Sequence, residues 1–558
     1  MLELRAIVGR RGEEERAALR RAVQLALEAG SCKGIFSKNE LLQIVPELIQ
    51  EDPLTAFWLL DEAAALDILP LTPRRNLSVE LRARGYLHKS LKVLRSVAVV
   101  TGTNRDLSAL NSRQSELDVF RGQYVTKLRP NEGKLDPLSG RVLHIVGKAF
   151  PKTESGYTLR THYTARALQD VGFEVSVVSQ VGENPERDQL RSETLENVTY
   201  YTLVGSSRSN RSYHDWLDEN IEQVREVVVR ARPALLHAHS DFFNAITAQA
   251  VGNHFGIPVI YESRGFWEES WLSRISERYG IEDWTEIERQ WGLPDAYTLR
   301  RAREIEARRR SAHVITLAHV MKGHIAQFGY PSSHISIVPN AVSTESFPVL
   351  SDGIEELRRV FKIPGQSITI GYISSVVEYE GIDTLIRAFY DLKERTFEEV
   401  RLVVVGDGPH LPVIKALNAQ LGNGGVVFTG RVPHEEILRY YGLIDIFVVP
   451  RRPSPVCDLV TPLKPFEAFS TGRAVVMSDV GALKEIAQDS GAAALFTAGD
   501  KDSLSDVLLG LIENEDQRAV LRRAGAEWVR AERTWASNAK RYSAVYSSFG
   551  VLPITSML

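Results

Sequence analysis

The densest run of chemistry-bearing residues is Asp458-Leu-Val-Thr-Pro-Leu-Lys464-Pro-Phe-Glu467, followed by Gly472. Its prolines and closing glycine frame a helix that starts near Leu463 and stops at Gly472. A helix start presents free N–H groups and a partial positive charge, which suits a diphosphate. Lys464, in the first turn, adds a full charge. Glu467 lies one turn on and on the same face, where a carboxylate can accept from both hydroxyls of a ribose. The plain alternative is a capped helix with a solvated lysine and glutamate, and spacing alone does not choose between them.

His237 and His239 stand two apart in ALLHAHS, so on a regular strand both point to one face. At least one of them is then a packed, hydrogen-bonded side chain; His239, nearer the strand end, is the one to face a cleft. Gly406–Pro409 (GDGP) reads as a strand-to-helix turn, as readily structural as phosphate-binding. Asp500-Lys501-Asp502 precedes SLSDVLLGLI and reads as a helix cap rather than a metal pair. Arg308–Arg310 sits in a run of mixed charge and reads as a solvated face. No G-x-x-x-x-G-K-[ST] loop is present, which argues against an NTPase. No G-x-G-x-x-G follows the first strand, which argues against a dinucleotide enzyme.

These residues need a scaffold, and the chain supplies one in pieces. At 558 residues it exceeds a single core and calls for roughly three to four domains. A net charge of −4 argues against a dedicated nucleic-acid binder. Two cysteines, Cys32 and Cys457, exclude a disulfide framework and suit a reducing compartment. The charged start MLELRAIVGRRGEEER offers no apolar leader core, and no stretch reaches the length of a membrane span, so a soluble, cytoplasmic protein is expected. Residues 1–139 lack strand alternation and read as a helical accessory domain. Its marks are the acids at 13–15 ahead of a run to Leu27, a capping box at Ser37–Glu40, a helix from Pro53, and one or two helices between Gly85 and Lys127. From Arg141 the pattern changes to apolar runs alternating with helices: RVLHIVG, EVSVVSQ, VTYYTLV, ALLHAHS, PVIYES and HVITLA. IVPNAV reads as a linker. A second series follows: SITIGYIS, RLVVVGDGP, VVFTG, DIFVVP, AVVMSD and ALFTA. The expected architecture is α/β, two doubly wound domains at 140–348 and 349–530 after the helical region, with a helix and tail at 531–558. Ligands bind such sheets at the strands' carboxyl ends, here in the cleft between the domains.

The Asp458–Gly472 segment resembles the donor-binding signature of the retaining glycosyltransferases of the GT-B fold, family 4. GYISSVVEYEGIDTLIRAF, LVVVGDGP, VFTGRVPHEEI and VVMSDVGALKEI resemble the same family, as do SGYTLRTHYTARAL, ALLHAHS and IVPNAV. The likeness covers roughly 141–548 and leaves out the helical front. It implies two facing Rossmann-like domains and transfer of a sugar from a UDP- or GDP-linked donor to a hydroxyl acceptor, without metal or cofactor. It further implies that Glu467 holds the ribose, and that Lys464 with the backbone at Leu463 holds the diphosphate. By the same likeness Asp458 touches the transferred sugar, Arg431-Val432 reads the base, and Gly156 admits the phosphate and sugar. The chain departs from the pattern in three places. Leu459 stands where the first acid is usual, leaving Asp458 one residue early. Ser375 and Glu380 stand where an arginine and a lysine usually clamp the diphosphate, so Lys464, Arg451, Arg452 or Arg431 must supply the charge. Glu262 stands where a histidine is common. Glu262 and His239 are then candidates at the reacting carbon, and Arg264 and Tyr157 candidates for the acceptor; a buried ion pair is the alternative for Glu262 and Arg264. The implied partners are a nucleotide sugar and a glycan or lipid-linked acceptor, without nucleic acid, with contact at the inner membrane face and oligomerisation through the helical front as further expectations. A nucleotide-sugar epimerase on the same scaffold, or a degenerate transferase acting as a scaffold, are the competing readings.

Overall fold

A computed structural model of the chain describes residues 17–183, 190–281, 283–349, 354–422 and 424–554. The acids at 13–15 lie outside these residues. By compactness the chain divides into two units: residues 1–127, 207–219 and 271–304, and residues 128–206, 220–270 and 305–558.

The first unit is helical, and its helices begin where the local chemistry places them. After a helical stretch at 17–29, Ser37 caps Lys38–Glu51: its hydroxyl accepts from Glu40 N–H while the Glu40 carboxylate accepts from Ser37 N–H at 2.7 Å. Asp52 caps Pro53–Glu62 through its carboxylate, which accepts from Thr55 N–H at 3.1 Å. Further on, Leu71–Ala83, Leu87–Thr101 and Asn104–Phe120 complete the N-terminal helices, the last two parted by Gly102 at a left-handed φ of 57°. Their apolar faces, Leu41, Ile44, Leu59, Leu60, Leu77 and Val93 among them, close one core.

The second unit holds two sheets. In the first, β1 (Leu138–Val146), β2 (Glu174–Ser179), β3 (Arg191–Leu195), β4 (Val198–Thr202), β5 (Pro233–His239), β6 (Val259–Ser263), β7 (His313–Thr316) and β8 (Ile335–Ile337) lie in the order β3-β4-β2-β1-β5-β6-β7-β8. All neighbours are parallel except β3 and β4. The second sheet is wholly parallel: β9 (Ile368–Ile373), β10 (Val400–Val405), β11 (Val426–Gly430), β12 (Ile446–Val449), β13 (Ala474–Ser478) and β14 (Ala493–Phe496), in the order β11-β10-β9-β12-β13-β14. That is the doubly wound order, whose switch point falls between β9 and β12. The apolar runs read from sequence are these strands. The antiparallel β3 and the three-residue β8 are additions, too polar and too short to show as runs.

Polypeptide passes between the two sheets twice. The outward pass follows β8, and the return follows the helix Glu515–Glu532. The passes run side by side: Val342 N–H donates to Arg533 O at 2.9 Å, and Val342 and Thr534 form a bridge. After the return, the helix Trp535–Ser547 packs on the helix Gly156–Asp170 of the first sheet's layer. The two sheets also touch directly. Leu459 and Val460 pack against Phe266, Leu317 and Met321. The Glu485 carboxylate accepts from His319 and Val320 N–H at 2.7 and 2.8 Å, closing a helix start that lacks a cap of its own.

Candidate functional site

The residues between Asp458 and Gly472 form two short helices, Pro455–Leu459 and Lys464–Ser470. The second has seven residues, so its end charge is small and Lys464 must carry most of the positive potential. Glu467 is nearly buried. Its Oε2 accepts from the Tyr441 hydroxyl at 2.8 Å and pairs with Lys464 Nζ at 2.9 Å. Burial, then the charge of Glu467, pushes the Tyr441 phenol well above its ordinary range, so it stays a donor. One carboxylate oxygen is therefore fixed by the protein. Oε1 has no protein partner among the described residues.

The loop ahead of Lys464 is pinned from the other sheet. Asn340 donates through Nδ2 to Thr461 O at 2.9 Å and to Thr461 Oγ1 at 3.3 Å. Its Oδ1 accepts from Arg160 at 2.7 Å. Leu463 then meets the start of the helix Gly156–Asp170: a Cβ on Gly156 would lie 3.0 Å from Leu463 Cδ1. Gly156 thus permits a close approach, and in this structure the approaching group is the Leu463 side chain.

The expected compensating cations are largely engaged. Arg451 is buried, with Nε and Nη2 on Glu380 Oε1 at 3.2 and 2.8 Å and Nη1 on Val460 O at 2.8 Å. Burial would lower it, but Glu380 outweighs that and raises it, so Arg451 stays charged. Glu380 does not stand as an exposed negative charge where a lysine is usual; it neutralises Arg451 and holds the β12 loop. Arg452 pairs with Glu378 and Asp383. Ser375 and Arg431 are exposed, and Val432 packs at the edge of the core. Asp458 is exposed, and its Oδ1 accepts from Gly481 N–H at 2.9 Å. It is placed as a cap for the helix Gly481–Ser490, and Leu459 beside it makes the apolar contact between the sheets described above. The GDGP turn is structural: a Cβ on Gly406 would fall 1.9 Å from Ser374 O. Asp500 caps its helix through Asp502 and Ser503 N–H, as read. Arg308 departs from expectation. It is buried and donates to Ser263 Oγ at 3.1 Å, lying over Phe266, while Arg309 and Arg310 are exposed.

Glu262, at the end of β6, is wholly buried. Oε1 accepts from Arg160 at 3.0 Å and from the Tyr542 hydroxyl at 2.8 Å, and Oε2 accepts from Arg264 at 3.1 Å. Burial alone would raise its carboxyl; Arg264 and Arg160 outweigh burial and hold it well below the ordinary range. Arg264 also donates to Thr161 Oγ1 at 2.7 Å and Tyr157 O at 3.2 Å, and lies over the Tyr157 ring. Tyr157 in turn donates to Ser240 O at 2.9 Å. His237 and His239 share a face, as their spacing requires, and both point inward with His144, with ring centroids 4.6 to 4.9 Å apart. The structure therefore encloses His239 and Glu262, read as facing the cleft, in the layer beneath it. Burial depresses all three imidazoles, which stay neutral. Their ring nitrogens lie within 4.8 Å of one another. Two guanidiniums against one carboxylate leave a local positive charge that opposes a further cation there.

Two family models match the chain: Glycosyltransferase Family 4 over residues 155–346, and Glycosyl transferases group 1 over 353–528. The chain belongs to the family 4 glycosyltransferases of the GT-B fold. Among its relatives in that family is the GDP-mannose-dependent alpha-(1-6)-phosphatidylinositol monomannoside mannosyltransferase of Mycobacterium tuberculosis, 28% identical over 37% of this chain and 54% of the relative. The D-inositol 3-phosphate glycosyltransferase of Corynebacterium urealyticum is 26% identical over 40% and 54%. The chain spans about half the length of these curated relatives. The fold is similar to that of sucrose-phosphate synthase from Thermosynechococcus elongatus (TM-score 0.58, 16% identity, 74% of this chain and 99% of the other). It is also similar to HepE from Anabaena, solved with UDP and glucose (TM-score 0.55, 14%, 73% and 99%). On this GT-B frame, Asn340, Arg160, Tyr441 and Tyr542 join the site region without having been singled out from sequence. IVPNAV and SGYTLRTHYTARAL contain two of them. Their partners lie more than 100 residues away, except for Tyr441, which is 26 from Glu467.

Proposed function

We propose that this chain transfers a sugar from a UDP- or GDP-linked donor to a hydroxyl acceptor of a glycan or glycolipid, with retention at the anomeric carbon and without a metal. The observation that carries the reading is the carboxylate of Glu467. Tyr441 and Lys464 fix one of its oxygens, and the other is left to accept from a ligand. A ribose hydroxyl can donate to that oxygen. Lys464, beside it, is placed to stabilise the charge that grows on a departing diphosphate. Arg451 and Arg452 are committed to carboxylates, so the leaving group relies on Lys464, the backbone N–H groups around it and the exposed Arg431. In a front-face transfer the leaving phosphate takes the acceptor's proton, so the buried Glu262 need not serve as a base. Its part is to hold the first sheet's ligand edge: through Arg264 it fixes Tyr157, and through Arg160 and Asn340 it fixes Thr461.

Calorimetric titration of UDP, GDP and their common sugar conjugates against wild type and Glu467→Ala tests the reading. One nucleotide family should bind wild type and lose most of its affinity in the variant. Equal binding by both proteins would remove Glu467 from the donor site, and no binding by any nucleotide would favour a scaffold. Incubation with donor alone separates transfer from epimerisation, since only an epimerase changes the sugar without an acceptor.

A further inference from the structure

We infer that the helical first unit carries a second carbohydrate site, a groove of about 400 Å³ lined by Phe57, Trp58, Asp61, Glu62, Lys89 and Trp291, with Leu27, Gly30 and Gln290 at its margin. Its volume lies in the range of small-molecule sites. Two of the chain's eight tryptophans meet here. The indoles of Trp58 and Trp291 are half-buried and stand edge to face, with centroids 6.1 Å apart and planes at 63°. One ring can serve as floor and the other as wall. A pyranose has a flat face of C–H bonds and a rim of hydroxyls, so it needs such a platform together with polar groups at its edge. The groove supplies both.

The polar groups are available. Neither indole N–H, nor the Gln290 amide, has a protein partner among the described residues, and the margin is open enough that none is a buried orphan. Glu62 has one oxygen held by Ser31 Oγ at 3.2 Å and the other left to accept. Asp61 is oriented by Lys92, and Lys89 is turned along the wall, with Nζ 3.4 Å from Trp291 O. Together these offer donors and acceptors in the mixture that vicinal hydroxyls require. The charge discriminates against other ligands. Two carboxylates, one ammonium and no guanidinium line the groove, which disfavours a nucleotide, a lipid phosphate or nucleic acid. An aromatic peptide side chain would fill the floor but leave the rim unpaired, at a desolvation cost. A neutral saccharide satisfies both. That the sugar belongs to the acceptor glycan rests on the function proposed above; the site does not.

Saturation-transfer NMR on the full chain, with mannotriose, maltotriose and chitotriose as probes, tests the site. At least one neutral trisaccharide should receive saturation, and Trp58→Ala and Trp291→Ala should each weaken it roughly tenfold. Glu62→Gln and the exposed Gln290→Ala should weaken it less while leaving the circular dichroism of the chain unchanged, so the result does not hang on the folding of a tryptophan variant. Binding of UDP or GDP should be the same in all four variants, which separates failure of this site from failure of the donor reading. Saturation of none of the three sugars, saturation that survives in all four variants, or displacement of the sugar by inorganic phosphate would each overturn the inference.

Discussion

Replacing Glu262 by glutamine tests whether this carboxylate does chemistry or holds structure. The substitution keeps the shape and one acceptor oxygen but removes the negative charge that Arg160 and Arg264 share, the two being 3% and 8% exposed. Removing one partner of a buried ion pair costs about 3–5 kcal/mol, because the remaining charge is left uncompensated. Glutamine can still accept from one guanidinium, so the lower end, about 3 kcal/mol, is expected. The loss should be local. Hydrogen exchange is the suitable assay, because a multidomain chain has no single unfolding free energy. Peptides covering β5 and β6 should exchange roughly 100-fold faster if their opening carries the full cost, while β9–β13 keep their protection. Donor KM should rise, since the path through Arg160 and Asn340 ends on the loop before Lys464. Unchanged protection in β5 and β6 combined with lost turnover would refute the reasoning and return Glu262 to the reacting carbon.

Asn340→Ala strips Thr461 O and an Arg160 N–H of buried partners, at about 1–3 kcal/mol; donor KM should rise about tenfold in steady-state assays, more than kcat falls. Lys464→Ala should lower turnover by about 100-fold, the usual effect of losing one group that stabilises a developing anion; near-normal kcat would exclude Lys464 from the leaving-group site. Acid should destabilise the first sheet early. His144, His237 and His239 are held neutral below their ordinary value of 6.5, so the unfolded chain binds protons that the folded chain does not. Stability is then level above that pH and falls as pH drops below it, with a limiting slope of roughly 4 kcal/mol per unit for three sites, and His144→Gln should reduce the slope by about a third in a pH series of thermal melts. Glu262 adds to the loss only at lower pH, as its own depressed carboxyl protonates. Glu485→Ala removes the acceptor for His319 and Val320 N–H, and small-angle scattering should show a more open second unit.

Local patterns were legible because they are written in consecutive residues. The apolar runs of the parallel strands, the capping box at Ser37–Glu40, and the Lys464–Glu467 spacing each report on a stretch shorter than one helix. Pairings across the chain were not. Glu380 looked like a missing cation, and only the fold shows that Arg451, 71 residues on, meets it. Asp458 looked like a displaced catalytic acid, yet Gly481 takes its oxygen. Arg308 sits in a run of arginines whose neighbours face water, and no periodicity distinguishes the one that lies on Phe266. His239 had the right strand position, but Thr161 and Tyr157, on a helix about 80 residues earlier, lie against its ring.

The paired passes at Val342 and Arg533–Thr534 constrain motion as well as topology. A single tether would let one lobe swing and twist about a point. Two adjacent tethers, bonded to each other, act like the pin of a door: they leave rotation about their common line and resist twist across it. The last helix, carried back across that line, moves with the first sheet and takes Tyr542 and Tyr546 with it. Opening would therefore preserve the polar layer around Glu262 and break the contacts at Leu463, Thr461 and Glu485 together, so the three contacts are set by one angle.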